Sequence, residues 1–221
     1  MASNEELKAL ASQLKDPKGA KGIEIAEMMD ATNIKMTLHA IDYLQIEDNQ
    51  HILELGHGNC GHLHNLLARQ QGLHYSGLET SELMYTEAQR KNKAYIDAKQ
   101  AAFFLYDGLH IPFPEHAFDR IFTVNTIYFW SEPHQLLSEL ARILQPEGVL
   151  NITFAQERFM QQLPFTTFGF NLYDENKVAD LIHGTTFYIQ QSNTQTETIE
   201  SKTGELVNRE FTTLTLKKRR H

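Results

Sequence analysis

The chain has 221 residues, 41% of them hydrophobic and 22% charged, which fits one folded domain and excludes a disordered chain. Its net charge of −8 at pH 7 argues against a nucleic-acid partner, because an acidic surface repels phosphate. There is no run of about 18 apolar residues and only one cysteine, Cys60, so we expect no membrane span, no disulfide and a cytoplasmic location.

The first part of the chain is predicted to be helical. Leu7, Leu10 and Leu14 share one face of a helix, and Pro17 and the glycine that follows shortly after it interrupt that helix. A second apolar pattern, over residues 23–44, predicts a helix in two pieces.

From residue 51 onward, short β-rich runs alternate with helical patterns, which predicts βαβ units and a parallel sheet covered by helices. The runs are residues 51–55, 73–78, 102–106, 119–124 and 148–154. Before the last of them, Ser131 is the expected N-cap of a helix that has Pro133 in its first turn.

The end of the chain is rich in aromatic residues and then in β-forming residues. We expect a short helix near residues 177–182 and two strands, near 187–191 and 208–216. The whole chain is interpreted as a single domain 1–221, with a helical cap (1–45), a ligand-binding core (46–154) and a substrate-side insertion with the C-terminal strands (155–221). The basic residues 217–221 are expected to be a solvated end.

A glycine-rich turn, Glu54-Leu55-Gly56-His57-Gly58-Asn59-Cys60-Gly61, joins the first strand to a helix. Gly56 and Gly58 allow backbone conformations closed to other residues, and the next helix offers free N–H groups to a polar ligand. The pattern Gly56-x-Gly58-x-x-Gly61 also fits the dinucleotide fingerprint of NAD enzymes. The carboxylate of Glu54, however, favours a cationic ligand such as a sulfonium over a pyrophosphate.

Residues from about 33 to 154 resemble the class I S-adenosylmethionine (SAM)-dependent methyltransferases, especially the ubiquinone/menaquinone-type, methyltransferase domain 11-like branch. The matching motifs are Glu54-Leu55-Gly56-His57-Gly58-Asn59, Tyr75-Ser76-Gly77-Leu78-Glu79-Thr80-Ser81, Tyr106-Asp107-Gly108, Phe118-Asp119-Arg120-Ile121-Phe122-Thr123-Val124-Asn125 and Leu144-Gln145-Pro146-Glu147-Gly148. Cys60 stands where the family has its third glycine. The resemblance implies an α/β, Rossmann-like, seven-stranded and mostly parallel sheet with helices on both faces, an antiparallel last strand and an N-terminal helical cap.

The same resemblance implies that SAM is the cofactor and S-adenosylhomocysteine (SAH) the product. Glu79 would bind the ribose hydroxyls, Asp107 the adenine amino group, and Met84 would pack near the adenine. The residues carried over by motif position are Glu54, Gly56, His57, Gly58, Asn59, Glu79, Thr80, Met84, Asp107, Gly108 and Asn125.

Methyl transfer is an in-line displacement that needs alignment and, for some nucleophiles, a general base. The base candidates are Tyr128, His57 and His134. Tyr128 belongs to residues 125–130, directly after the fourth strand, and this segment is expected to line the pocket of a small-molecule acceptor. Its alternative role is core packing, and that of His57 is to position the backbone. Aromatic residues of 159–173, with apolar residues of the N-terminal helices, predict either a lid over an apolar or aromatic acceptor or a satellite core.

Four potential metal ligands cluster in sequence: His57, Cys60, His62 and His64. We expect no metal, because a nucleotide-binding turn does not readily bring them to one tetrahedral point. Two other functions remain open at this stage: an NAD(P)-dependent oxidoreductase, and a non-catalytic protein that binds SAM or SAH.

Overall fold

The structure is a computed structural model that describes residues 2–200 and 206–219. It opens with two helices, α1 (Asn4–Lys15) and α2 (Gly19–Asp42). Ser3 caps α1 by accepting the Glu6 N–H, while the Glu6 side chain bonds back to the Ser3 N–H. The prediction of two pieces for the second helix is wrong: α2 is continuous over 24 residues, since neither proline nor glycine interrupts it after Gly22.

Seven strands form one sheet in the order β3-β2-β1-β4-β5-β7-β6. They are β1 (His51–Leu55), β2 (His74–Glu79), β3 (Ala101–Leu105), β4 (Phe118–Val124), β5 (Leu144–Ala155), β6 (Phe187–Glu200) and β7 (Leu206–Lys218). The first five run parallel, and β7 lies antiparallel between β5 and β6. The predicted Rossmann-like sheet with an antiparallel last strand is thus confirmed.

Shorter helices connect and cover the strands. They are α3 (Leu63–Leu67), α4 (Glu82–Lys91), α5 (Lys93–Asp97), α6 (Pro133–Ile143), α7 (Glu157–Met160) and α8 (Glu175–Ile182), with 3-10 turns at Ile127–Phe129 and Pro164–Thr167. The predicted cap of α6 is wrong. The helix begins at Pro133, and Glu132 rather than Ser131 occupies the N-cap position. No helix in the described part of the chain has the length and apolar character needed to cross a membrane.

The C-terminal hairpin is longer than the sequence predicted, because β6 and β7 pair well beyond the edge of the parallel strands. The basic end is also more ordered than expected. Lys218 Nζ donates to the carbonyl oxygens of Ala141 and Leu144 at the end of α6, where a cation complements the helix dipole. Arg219 bonds to the Phe187 carbonyl, and residues 220 and 221 lie outside the described residues.

One buried hydrogen bond ties α2 to the middle of the sheet. Asn151, on β5 and fully buried, donates from Nδ2 to the carbonyl oxygen of Ala40 at 2.8 Å. Ala40 is in the last turn of α2, where carbonyl groups lack helical partners. The bond therefore holds the C-terminal end of α2 on the sheet and fixes the position of the rest of the helix.

Replacing Asn151 tests this anchor. We expect Asn151→Ala to lower the free energy of unfolding by about 2 kcal/mol, because it leaves a cavity and removes the partner of a buried carbonyl. Urea denaturation gives the value. The control is Asn208→Ala on the exposed part of β7, which should change the free energy by less than about 0.5 kcal/mol. Equal effects of the two substitutions would contradict the anchoring role.

Candidate cofactor and acceptor site

A cavity of about 430 Å³ lies at the carboxyl ends of the parallel strands. Its wall consists of the glycine-rich turn after β1, the ends of β2 and β3, the segment after β4, and parts of α1 and α2. This edge is where open α/β sheets bind their ligands. The volume is in the range of sites that bind small molecules.

All eleven residues predicted to bind the cofactor line this one cavity. They come from Glu54–Asn59 of the turn, from Glu79, Thr80 and Met84, from Asp107 and Gly108, and from Asn125. Folding therefore brings together motifs that are up to about 70 residues apart. Their role in binding remains a prediction.

The glycine turn is tightly constrained on one side and open on the other. Gly56 has φ +74°, and a Cβ there would lie 2.4 Å from the Thr126 side chain. Gly58 has φ +56°, and a Cβ there would meet no atom within 4 Å. Cys60 also takes a left-handed conformation, with φ +50°, although it stands where the family has glycine. The turn keeps the expected left-handed backbone at the cost of local strain.

Glu79 connects β2 to the turn after β1. One carboxylate oxygen accepts the N–H groups of Thr80 and Ser81, and the other accepts the Gly58 N–H at 3.0 Å. Glu79 is mostly buried but lines the cavity. The first oxygen also accepts the Thr80 hydroxyl at 3.4 Å, so it is fully occupied. The second oxygen accepts only the Gly58 N–H among the described residues, so it retains an acceptor site for one ligand hydroxyl group.

Asp107 is held at the mouth of the cavity by its own loop. Its carboxylate accepts the N–H groups of Leu109 and His110 and the ring nitrogen of His110. The hydrogen bond from the His110 side chain, helped by the two N–H groups, lowers the pKa of Asp107 to about 2. Asp107 is therefore an ionised acceptor at neutral pH.

Glu54 belongs to a buried polar cluster beneath the turn. Its Oε2 accepts the Tyr75 hydroxyl at 2.6 Å and bonds His62 Nε2 at 2.8 Å, and Cys60 Sγ donates to the Tyr75 oxygen at 3.2 Å. Burial alone would lower the pKa of His62, but the negative charge of Glu54 outweighs it, so the pKa is raised. The pair therefore favours the protonated form of His62, whose charge would offset part of that of Glu54.

The same cluster bears on the question of a metal. Ligand atoms of Glu54, Cys60 and His62 lie within 4.8 Å of one another, so two of the four suspected residues do converge, contrary to the geometric expectation. His57 and His64 instead bond the backbone oxygens of Gly58 and Gly61. Hydrogen bonds already link these groups, since Glu54 bonds both His62 and Tyr75 and Cys60 bonds Tyr75. The absence of a metal remains a prediction.

His57 is buried within the turn and lines the cavity. Its Nδ1 donates to the Gly58 carbonyl at 2.7 Å, and burial lowers its pKa, so the ring is neutral. Nε2 is then an acceptor, and it has no hydrogen-bond partner among the described residues. This placement favours the backbone-positioning role.

The other two base candidates do not line the cavity. Tyr128 is 2% exposed, and its hydroxyl accepts the Ala155 N–H and bonds the side-chain oxygen of Asn125. Burial raises its pKa, which opposes loss of the proton. Tyr128 thus fixes Asn125, which lines the cavity with φ +58°, and its placement does not support acceptor contact. His134 is exposed on α6.

Several cavity residues were missed by the sequence reasoning. Asp30, Asn33 and Thr37 line the cavity from α2 and were not expected there, whereas Phe129 and Trp130 line it from residues 125–130, the segment that was expected to line an acceptor pocket. The first three are spaced three and four residues apart, a polar stripe that the sequence already contained. None of residues 159–173 lines the cavity in the described structure. Instead, Phe170 packs on Phe129 with ring centroids 4.6 Å apart, which supports the wall from behind.

The sequence profile and the relatives that match this chain indicate a methyltransferase. Residues 53–152 match the sequence profile of the methyltransferase domain. An uncharacterized methyltransferase of Bacillus subtilis, YdaC, is 28% identical over 156 residues, or 69% of this chain and 82% of that protein. The methyltransferase GfsG of Streptomyces halstedii is 27% identical over 118 residues, which cover 53% of this chain and only 42% of GfsG. The chain thus spans less than half the length of that relative.

Solved structures show the same fold. A putative methyltransferase from Haloferax volcanii, solved in complex with the Trm112 methyltransferase activator, superposes with a TM-score of 0.73 at 17% identity and full coverage of both chains. A geranyl diphosphate methyltransferase in complex with SAM gives 0.69 at 12% identity, with 94% of each chain covered. The resemblance to the methyltransferase-domain branch, stated from the motifs, is confirmed.

The Glu54–His62 pair gives a pH-dependent prediction. Because the folded-state pKa of His62 is raised, its stabilising contribution is complete below the ordinary pKa of 6.5 and is lost as the pH rises through the raised value. In Glu54→Gln, burial should dominate and the pKa of His62 should fall below 6.5. NMR titration of the histidine ring signals measures this. The pKa of His39, lowered chiefly by burial, should stay unchanged as a control, and an unaltered His62 would contradict the pairing.

Proposed function

Since residues 53–152 carry a methyltransferase domain, we propose that this protein transfers the methyl group of SAM to a small-molecule acceptor and releases SAH. The observation that carries the proposal is the convergence of the turn, Glu79, Asp107 and Asn125 on one cavity. Glu79 and Asp107 supply anionic acceptors for hydroxyl and amino groups, and the turn supplies exposed backbone.

The donor and acceptor set fits such a cofactor. Asn59 is a residue of the cavity wall, and its buried Nδ2 has no partner among the described residues, although its Oδ1 accepts the Gly61 N–H. A buried donor without a partner is costly unless a ligand satisfies it. The open space beside Gly58 also lets a ligand approach the backbone closely.

When bound, SAM supplies a methyl group on a sulfonium leaving group. The residues of this chain would then position and enclose the reactants, which is the main requirement of an in-line displacement. Asn125, fixed by Tyr128, lines the cavity after β4, and α1 and α2 contribute the part of the wall that would shield the reactants from water. His57 lies in the wall, but its Nδ1 bonds the Gly58 carbonyl and its Nε2 is buried, which favours positioning of the turn over acceptance of a proton from the acceptor.

The acceptor is proposed to be small and apolar or aromatic. Met29, Phe129 and Trp130 line the cavity beside Asn125, and Trp130 is held by a hydrogen bond from its indole N–H to Thr126. The cavity volume is in the small-molecule range, which supports a small acceptor. We further propose that the chain works as one domain and in the cytoplasm, where its single buried cysteine stays reduced.

Calorimetric titration with SAM, SAH and NADH in parallel tests the proposal. Saturable binding of SAM and SAH without NADH binding supports it. Binding of NADH alone would contradict the proposal and indicate an NAD(P)-dependent oxidoreductase. If SAM and SAH bind but a broad panel of acceptors gives no SAH production, the protein is a non-catalytic binder.

The most informative variant for SAM binding is one that removes the Glu79 carboxylate. We expect Glu79→Ala to weaken SAM binding at least 100-fold, about 2.7 kcal/mol, because both the ribose acceptor and the restraint on Gly58 are lost. Glu82→Ala, on the exposed side of α4, is the control and should leave the affinity unchanged. Circular dichroism confirms that both variants are folded. Wild-type affinity in Glu79→Ala would refute this cofactor site.

A further inference from the structure

A buried ion pair connects the C-terminal hairpin to α2. The Arg209 guanidinium on β7 bonds Glu197 Oε1 on β6 at 3.0 and 2.6 Å, and both side chains are less than 10% exposed. The same guanidinium donates to the Thr32 carbonyl at 2.6 Å and to Asn33 Oδ1 at 2.9 Å. Arg209 thus holds one side chain of the cavity wall, that of Asn33.

This contact fixes the orientation of the Asn33 amide. A guanidinium donates hydrogen bonds and cannot accept them, so the amide oxygen must face Arg209. The amide nitrogen is the polar atom left for the cavity, and no hydrogen bond from it occurs within the described residues. The cavity therefore contains a fixed N–H donor with a buried positive charge behind it.

The position of Asn33 along α2 indicates which ligand group it meets. One turn before it, Asp30 lies so close to the glycine turn that a Cβ on Gly61 would be 2.3 Å from Asp30 Oδ2. One turn after it, Met36 Sδ accepts from Asn125 Nδ2 at 3.5 Å. Asn33 is therefore between the turn after β1 and the residue after β4, away from Glu79 at the end of β2 and Asp107 in the loop after β3.

We propose that Asn33, held by Arg209, binds the α-carboxylate of SAM and SAH. The inference rests on the proposed function: with the nucleoside end at Glu79 and Asp107, the amino-acid end extends along the cavity toward α2. The carboxylate is the only anionic group of SAM and needs donors. The carboxylates of Asp30 and Glu54, on the same side of the cavity, suit the neighbouring amino group instead.

The test compares SAM with decarboxylated SAM, which keeps the nucleoside, the sulfonium and the amine. Measured by calorimetry, the affinity of Asn33→Ala for SAM should fall on the order of tenfold, while its affinity for decarboxylated SAM should stay within about twofold of the wild-type value. Asn33→Asp should weaken SAM further, because it places a negative charge against the carboxylate, and should bind decarboxylated SAM at least as tightly as wild type does. Lys35→Ala, exposed on the same helix, is the control.

The role of Arg209 is tested in the same assay. Arg209→Lys keeps a cation opposite Glu197 but loses the forked guanidinium that reaches both Glu197 and Asn33. It should therefore lower the affinity for SAM and leave the affinity for decarboxylated SAM unchanged. A purely structural role would weaken both ligands equally.

The outcomes separate the two proposals. If wild-type protein binds neither ligand, the proposed function fails and this inference fails with it. If wild-type protein binds SAM, and Asn33→Ala either keeps that affinity or loses both ligands by the same factor, the inference alone is overturned. Thermal denaturation of each variant confirms that the differences arise in a folded protein.

Discussion

The hydrogen bonds of the Glu79 carboxylate are the contacts on which the site depends. They join the end of β2 to the turn after β1 through Gly58 and to the start of α4 through Thr80 and Ser81. Two strand ends and one helix start are thereby fixed relative to one another. Because parallel strands present their carboxyl ends at one edge, fixing these two also sets the distance to Asp107 and Asn125 on the neighbouring strands.

Above this edge, α2 acts as one long wall. Its C-terminal end is held to β5 by Asn151, and its middle is held to the hairpin by Arg209. A single uninterrupted helix transmits these restraints to Asp30 and Asn33 without a hinge. The C-terminal hairpin, which pairs with β5 through β7, thus also holds a part of the cavity wall through Arg209.

Acidic groups face the cavity, while a buried positive charge lies behind its wall. The chain is acidic, and Glu54, Glu79, Asp30 and Asp107 all face the cavity, which suits a ligand with a positive sulfonium and an amino group. Buried positive charge is placed behind this wall at Arg209, and the raised pKa of His62 shows how strongly Glu54 attracts a proton. Donors and acceptors are therefore separated within one cavity.

The amino-acid sequence by itself determined the order of strands and helices and the glycine turn, because these follow from local periodicity and from glycine at a strand end. The eleven residues that meet at the cavity came from the resemblance of the sequence motifs to a known family, and they meet because those motifs lie at the ends of parallel strands. Only the tertiary structure decided the roles of Tyr128, Asn33 and Arg209. The position of Tyr128 after β4 predicts a residue that contacts the acceptor, but in the folded protein its hydroxyl bonds the backbone of Ala155. Asn33 and Arg209 are 176 residues apart, and their contact depends on how a long hairpin crosses a helix, a long-range pairing that no local pattern encodes.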